Sequence, residues 1–331
     1  MFTDSMADTM VQRCDATRPG LLESRYRTRT DAAALQILAG LRGALTLGLI
    51  ALNTVFWALP LLLLAVVKLV TPVVSARAVL GRVLVALAEN WISTNNLILR
   101  ALGALHLERR GEAALDRREW YLMISNHRSW VDILVLQAAF NRRIPFLKFF
   151  IKEQLRWVPL LGLAWWALDM PFMRRHSREY LEKHPEERGR DLEATRRACE
   201  KFRGMPTTVI NFVEGTRFTP AKRDATGAAY RHLLAPRAGG IAFVLGAMGD
   251  MLHATLDVTI AYGARTPSLW DLCCGRLRRV IVHVRRRAIE SWMTGSDYTT
   301  DPEFRARFQQ SLAALWAEKD RLLDELEAEL S

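Results

Sequence analysis

The chain has 331 residues, enough to bury a large core as one big domain or two smaller ones. Its 46 Lys and Arg outnumber 35 Asp and Glu, for a formal charge of +11, half of the residues are hydrophobic, and there are ten tryptophans. That mixture suits a membrane surface; nucleic acid is disfavoured as a partner because no zinc-finger spacing or RNP-like aromatic motif accompanies the charge. Cys14, Cys199, Cys273 and Cys274 form neither a metal-ligand spacing nor a disulfide framework, so no metal and a reducing compartment are expected.

Residues 1 to 30 are polar, basic and without periodicity, and read as a flexible tail lying on anionic lipid. From Gly43 to Val67 come 25 consecutive uncharged, mostly apolar residues, which as one helix reach about 37 Å, enough to span a hydrocarbon core of about 30 Å with tilt. Basic residues flank the run on both sides, Arg25, Arg27 and Arg29 before it and Lys68, Arg77 and Arg82 after it. This favours a hairpin broken near Asn53 to Pro60, with both flanks in the cytosol, over a single span. Residues 31–102 are then membrane anchor and linker helix, the latter over Arg77 to Leu102, and a catalytic domain occupies 103–300.

Within that domain Leu105 to Arg109 and Trp120 to Ser125 read as strands and Ile133 to Phe140 as a helix. Phe146 to Ile151 is the next strand, and the tryptophan-rich run Trp157 to Phe172 is a partly buried hairpin or interfacial segment. The charged stretch Glu179 to Arg203 is a solvated helical face, and Thr207 to Phe212 is a β-branched strand ending in a sharp turn at Gly215. An apolar helix over Ile241 to Met251 precedes two more strands, Asp257 to Tyr262 and Arg279 to Val284. Six arginines and no acid between Arg276 and Arg287 suit anionic headgroups or a phosphate-bearing substrate. Residues 301–331 form a C-terminal helix capped by Asp301 with Pro302 at its first position. The alternation predicts an α/β fold, a mixed, mainly parallel sheet flanked by helices, with an N-terminal membrane-embedded helix or helical hairpin.

Chemistry concentrates at Ser125-Asn126-His127-Arg128-Ser129-Trp130-Val131-Asp132, where the strand passes into the helix. In one continuous helix His127 and Asp132 would point roughly 140° apart. They meet only if His127 precedes the helix, with Ser129 as its N-cap and Asp132 three residues on. A carboxylate on one imidazole nitrogen then leaves the other free to take a proton from a hydroxyl. Neither a G-x-S-x-G elbow for a serine hydrolase nor a G-x-G-x-x-G or P-loop phosphate fingerprint is present.

Asn126-His127-x4-Asp132, Lys152-Glu153 ahead of Pro159 and Gly162, Phe172 with Arg175, and Glu214-Gly215-Thr216-Arg217 together resemble the glycerolipid acyltransferases typified by lysophosphatidic acid acyltransferase. The extended EGTRFT run with Leu234, Pro236 and Arg237 resembles the lysophospholipid acyltransferase branch; the third motif carries Val213 where that family usually has proline. The resemblance implies His127 as catalytic base, Asp132 as its orienting partner, and Arg175, Glu214, Gly215, Thr216 and Arg217 as acceptor-binding residues. It implies no cofactor, an acyl-CoA or acyl carrier protein donor, a lysophospholipid acceptor, anionic membrane lipid as a partner, and a cytosol-facing domain at the cytoplasmic (inner) membrane. Oxyanion donors are expected near Gly215 or at the helix start after Ser129.

Overall fold

The computed structural model describes residues 19–111, 114–173, 199–200, 202–227, 229–263, 266–277, 279–296, 298 and 300–331. The first eighteen residues of the expected tail lie outside this set, and from Pro19 onward the backbone is helical rather than irregular. The charged stretch Glu179 to Arg203 also falls almost wholly outside it.

The apolar run is carried by one helix, α1 (Pro19–Val70), which continues through Pro60 without the expected break. The polar residue that invited a reversal there has another task. Asn53 donates to the Trp91 carbonyl at 3.1 Å and to the Asn95 side chain at 2.9 Å, both on α2 (Val74–Ala101). The chain reverses at Thr71 to Val73 instead, and α2 returns along α1. Ala34–Val70 is long and apolar enough to cross a membrane, and only 11% of its most apolar stretch is buried, unlike a core helix. Lys68, expected as a free basic flank, is buried and donates to the Ala167 carbonyl and to Asp169.

The main sheet has six strands in the order β1-β8-β7-β2-β6-β3: β1 (Leu107–Arg110), β2 (Tyr121–Ser125), β3 (Leu147–Phe149), β6 (Thr208–Phe212), β7 (Ala254–Ala261) and β8 (Val280–Arg287). Every pairing is parallel except β7 with β8, so the predicted mixed, mainly parallel sheet is what forms. β2 is buried along its whole length, as an apolar strand between parallel neighbours must be. The run Phe146 to Ile151 does not stay one strand. Ile151 leaves the main sheet as β4 (Ile151–Lys152), pairing with β5 (Phe172–Met173), and between them lies α4 (Leu161–Ala167).

Helices cover both faces. On one, α3 (Val131–Phe140) packs Val131, Val135, Leu136 and Phe140 against Tyr121, Met123, Leu256 and Val258. On the other lie α6 (Ala238–Met248) and α8 (Pro302–Leu330); of two short helices, α5 (Pro220–Thr226) buries none of its residues, and α7 (Leu269–Cys273) adds Leu272 to the α3 face. Asp301 caps α8 by accepting from the Phe304 amide at 2.9 Å, and Phe304, Phe308, Leu312, Trp316 and Leu323 follow at helical spacing to bury one face.

The basic run of β8 is not an open anionic-ligand surface. Arg276 pairs with Asp271, Arg279 with Glu108, Arg285 with Glu318, Arg286 with Glu119, and Arg287 with both Asp257 and Glu318. Five carboxylates neutralise these arginines, and four of them, Glu108, Glu119, Asp257 and Glu318, lie far from their partners in sequence.

Lys319 on α8 is fully buried; its Nζ donates to the Val258 carbonyl at 2.6 Å and to Thr259 at 3.0 Å, and lies 2.5 Å from Asp257. Removing one partner of a buried, hydrogen-bonded pair leaves the other charge uncompensated. Lys319→Ala is therefore expected to cost about 3 kcal/mol or more, read as a lowered denaturation midpoint of the detergent-solubilised protein.

Candidate active site

β2 and β6 end together, with Ser125 in register with Phe212, and β7, whose Val258 stands opposite Ser125, runs three residues further to Ala261. In open α/β sheets the crevice beyond the carboxyl ends of the strands is where ligands bind. Asn126 ties the chain leaving β2 to β7, donating to the Ile260 carbonyl and accepting from the Ile260 amide, each at 2.9 Å. His127 follows as a loop residue ahead of α3, as the capping argument required.

The histidine and aspartate meet: His127 Nδ1 lies 2.7 Å from Asp132 Oδ2. The same oxygen accepts from the Arg128 amide at 2.6 Å and the Ser129 amide at 2.9 Å. The expected capping box forms in modified shape. Asp132 takes the Ser129 amide, but Ser129 Oγ accepts from the Val131 amide rather than from that of Asp132. Ser129 Oγ donates to the Pro267 carbonyl and Ser125 Oγ to the Asn126 carbonyl, so neither hydroxyl is bonded to His127 as a serine nucleophile would be. The imidazole stacks on Phe212 at 4.0 Å between centroids, which fixes its plane.

Tyr262, just past β7, occupies the remaining oxygen: its hydroxyl donates to Asp132 Oδ1 at 2.6 Å. Burial first, and then the Asp132 charge, hold its pKa well above the ordinary phenol range, so it stays a neutral donor. Sequence reasoning missed it. Tyr262 closes an apolar strand and lies 130 residues from its partner, with no motif to flag it.

Glu214, Gly215, Thr216 and Arg217 stand at the end of β6, beside His127. Gly215 has φ +69°, and its amide bonds the Phe212 carbonyl at 2.9 Å, closing the predicted turn. The Glu214 carboxylate, expected on the acceptor, faces inward and is buried: Oε1 accepts from the His127 amide at 3.0 Å and Oε2 from the Leu234 amide at 2.9 Å. Burial pushes its pKa up to about 7 against the pull of those two amides, and the nearby Asp132 charge adds to the rise. Thr216 Oγ1 accepts from Lys222 Nζ at 2.9 Å. The Arg217 guanidinium lies 5.2 Å above the ring of Trp130, which is 64% exposed. Arg175 lies outside the described residues. The amides of Arg128, Ser129 and Gly215 are engaged by Asp132 and Phe212, so the expected oxyanion donors are not these three.

Residues 106–262, a stretch that includes His127, Asp132, Glu214 and Tyr262, match the acyltransferase family model. More narrowly, the chain resembles lysophosphatidic acid acyltransferases. The 1-acyl-sn-glycerol-3-phosphate acyltransferase gamma of Homo sapiens is 28% identical over 224 residues, covering 64% of this chain and 55% of that protein. The epsilon enzyme of Mus musculus is 23% identical over 230 residues, covering 63% and 58%. The chain thus spans little more than half the length of the curated relatives it matches. Among solved structures, the 1-acyl-sn-glycerophosphate (LPA) acyltransferase PlsC from Thermotoga maritima aligns with TM-score 0.48 and 17% identity over 87% of this chain and 98% of that one.

The raised pKa of Glu214 gives a pH signature. Between the ordinary 4.5 and about 7 the folded protein holds a proton that the unfolded chain has released, so stability falls as pH rises through that window. The fall is expected to be about 3 kcal/mol and to disappear in Glu214→Gln, whose amide cannot titrate, as measured by urea unfolding from pH 4.5 to 7. Tyr262→Phe leaves a buried carboxylate oxygen without its donor and is expected to lower stability by about 1–3 kcal/mol, read as a drop in Tm.

Proposed function

We propose that the protein is a membrane-bound O-acyltransferase that moves a fatty acyl group from an acyl thioester, acyl-CoA or acyl carrier protein, to the free hydroxyl of a lysophospholipid. Lysophosphatidic acid is the acceptor and phosphatidic acid the product. The observation that carries the reading is the His127–Asp132 pair, oriented at the end of β2 with Nδ1 held by a buried carboxylate.

With Nδ1–H donated to Asp132, Nε2 is the basic nitrogen. It takes the proton of the acceptor hydroxyl as the oxygen attacks the thioester carbonyl, and the carboxylate stabilises the imidazolium that results. Collapse of the tetrahedral intermediate expels the thiolate, which recovers that proton from the imidazolium. Glu214 acts as a positioning residue. By holding the His127 and Leu234 amides it locks the base against the turn that carries Arg217. Arg217, stacked on Trp130, is placed for the acceptor phosphate, to which a guanidinium offers two donors at once. Arg175 is assigned to acceptor binding on the family resemblance.

Both substrates carry long acyl chains, and the apolar outer face of α1 supports delivery from the bilayer. Leu45, Leu52, Phe56, Leu59 and Leu63 are exposed along it, and Trp157, shortly before α4, and Leu161, its first residue, are exposed apolar groups as well. This supports a domain embedded at the cytoplasmic membrane and facing the cytosol, where Cys199, Cys273 and Cys274 remain free thiols.

Purified protein in detergent is expected to acylate lysophosphatidic acid from a thioester donor, in a screen of labelled lysophospholipids that also identifies any other acceptor. His127→Ala should abolish turnover with the fold intact by circular dichroism. Asp132→Asn should lower kcat by about 10³-fold or more, because the wrong tautomer is then held. Near-normal turnover by His127→Ala with every acceptor would sink the mechanism.

A further inference from the structure

At the β1 edge of the sheet, α2, β1 and the chain following α3 enclose a groove of about 570 Å³. Arg100 reaches it from the end of α2, Arg109 from β1, and Arg143 from just beyond α3. Its apolar wall is Leu105, Leu107 and Ala138, and Asn96 and His106 bring further polar groups.

The charge state of these three arginines sets them apart. The neighbouring guanidiniums are neutralised: Arg110 pairs with Glu108 and Glu329, and Arg279 with the same two carboxylates. Glu108, the acid that lines the groove, is thus already held by Arg110 and Arg279. Arg100, Arg109 and Arg143 make no ion pair and no side-chain hydrogen bond among the described residues. Arg100, Arg109 and Arg143 are solvent-exposed, and the desolvation that the groove does impose, and then the charges of Arg143 and Arg100, pull the pKa of Arg109 below its ordinary value. Three uncompensated guanidiniums directed from separate elements at one groove repel one another, and a bound anion would remove that repulsion. A planar guanidinium presents paired N–H donors that match two phosphate oxygens, and the apolar wall strengthens the attraction by excluding water on one side.

We propose that the Arg100–Arg109–Arg143 groove is a second anion site, one that binds a phosphate group. It is separate from the acyl-transfer centre: β8 and β7 lie between β1 and β2, and Arg143 follows the far end of α3 whereas His127 precedes its start. The ten-residue helix between them is about 15 Å long. The inference does not rest on the acyltransferase reading, since it follows from charge and geometry alone. A phosphate there has two sources, a soluble nucleotide phosphate of the kind that ends an acyl thioester carrier, or the headgroup of an anionic phospholipid.

The test uses the full chain in detergent, with adenosine 3′,5′-bisphosphate as the soluble probe by calorimetry, and co-flotation with phosphatidylglycerol or phosphatidylcholine vesicles as the lipid arm. The substitutions Arg100→Gln, Arg109→Gln and Arg143→Gln are combined in one variant. A control combines Arg118→Gln, Arg203→Gln and Arg223→Gln, which remove the same charge outside the groove. The groove variant is expected to bind on the order of tenfold more weakly in one arm, with the control within about twofold of wild type. Loss for the nucleotide identifies the soluble source, and loss confined to phosphatidylglycerol vesicles identifies the headgroup. Arg109→Lys, which keeps the charge and loses the paired donors, should fall between the two and guards against a folding defect in the triple variant. The proposal is overturned if wild type binds neither probe, if the groove variant matches wild type in both arms, or if the control loses as much as the groove variant. Activity of the His127 centre plays no part in these readouts, so failure here and failure of the acyl-transfer mechanism are distinguishable.

Discussion

One carboxylate organises the catalytic end of this fold. Asp132 is buried and accepts from the imidazole of His127, the amides of Arg128 and Ser129, and the hydroxyl of Tyr262. A bare carboxylate in that position would be costly, and the four donors are what make its burial tolerable. In return it joins three elements at one point: the loop after β2, the first turn of α3, and the end of β7. A second buried carboxylate, Glu214, repeats the device, joining the His127 backbone to the Leu234 backbone. The base is therefore held from two directions, its ring by Asp132 and its main chain by Glu214.

That arrangement depends on the last helix as well. Arg128 pairs with Glu327 of α8, Trp316 Nε1 donates to the Leu234 carbonyl at 3.0 Å, and Asp320 accepts from the amides of Arg231 and His232. Each contact bears on the loop that Glu214 holds or on the residue next to His127. The pairs that Asp320 and Glu327 make explain why acids stand in the second half of that helix.

The many arginines sort by what surrounds them rather than by where they cluster in sequence. The densest run, in β8, is neutralised, while three arginines scattered from Arg100 to Arg143 are not. A density of charge along the chain thus says little about free charge in space, because partners such as Glu119 and Arg286 stand 167 residues apart.

What could be read in advance was local. The burial of β2 follows from five consecutive residues, the turn at Gly215 from one glycine at a strand end, the cap of α8 from Asp301-Pro302, and the His127–Asp132 pair from a spacing that works only at a helix start. Short-range rules of periodicity, capping and backbone freedom act within a few residues, so the order of residues along the chain contains them. Tyr262 on Asp132, the inward turn of Glu214, the passage of α1 through Pro60 and the neutralising of β8 were not legible. Each depends on groups tens to hundreds of residues apart, whose meeting is set by packing of the sheet and its helices. Burial there decides which polar groups must find partners, and no local pattern names the partner.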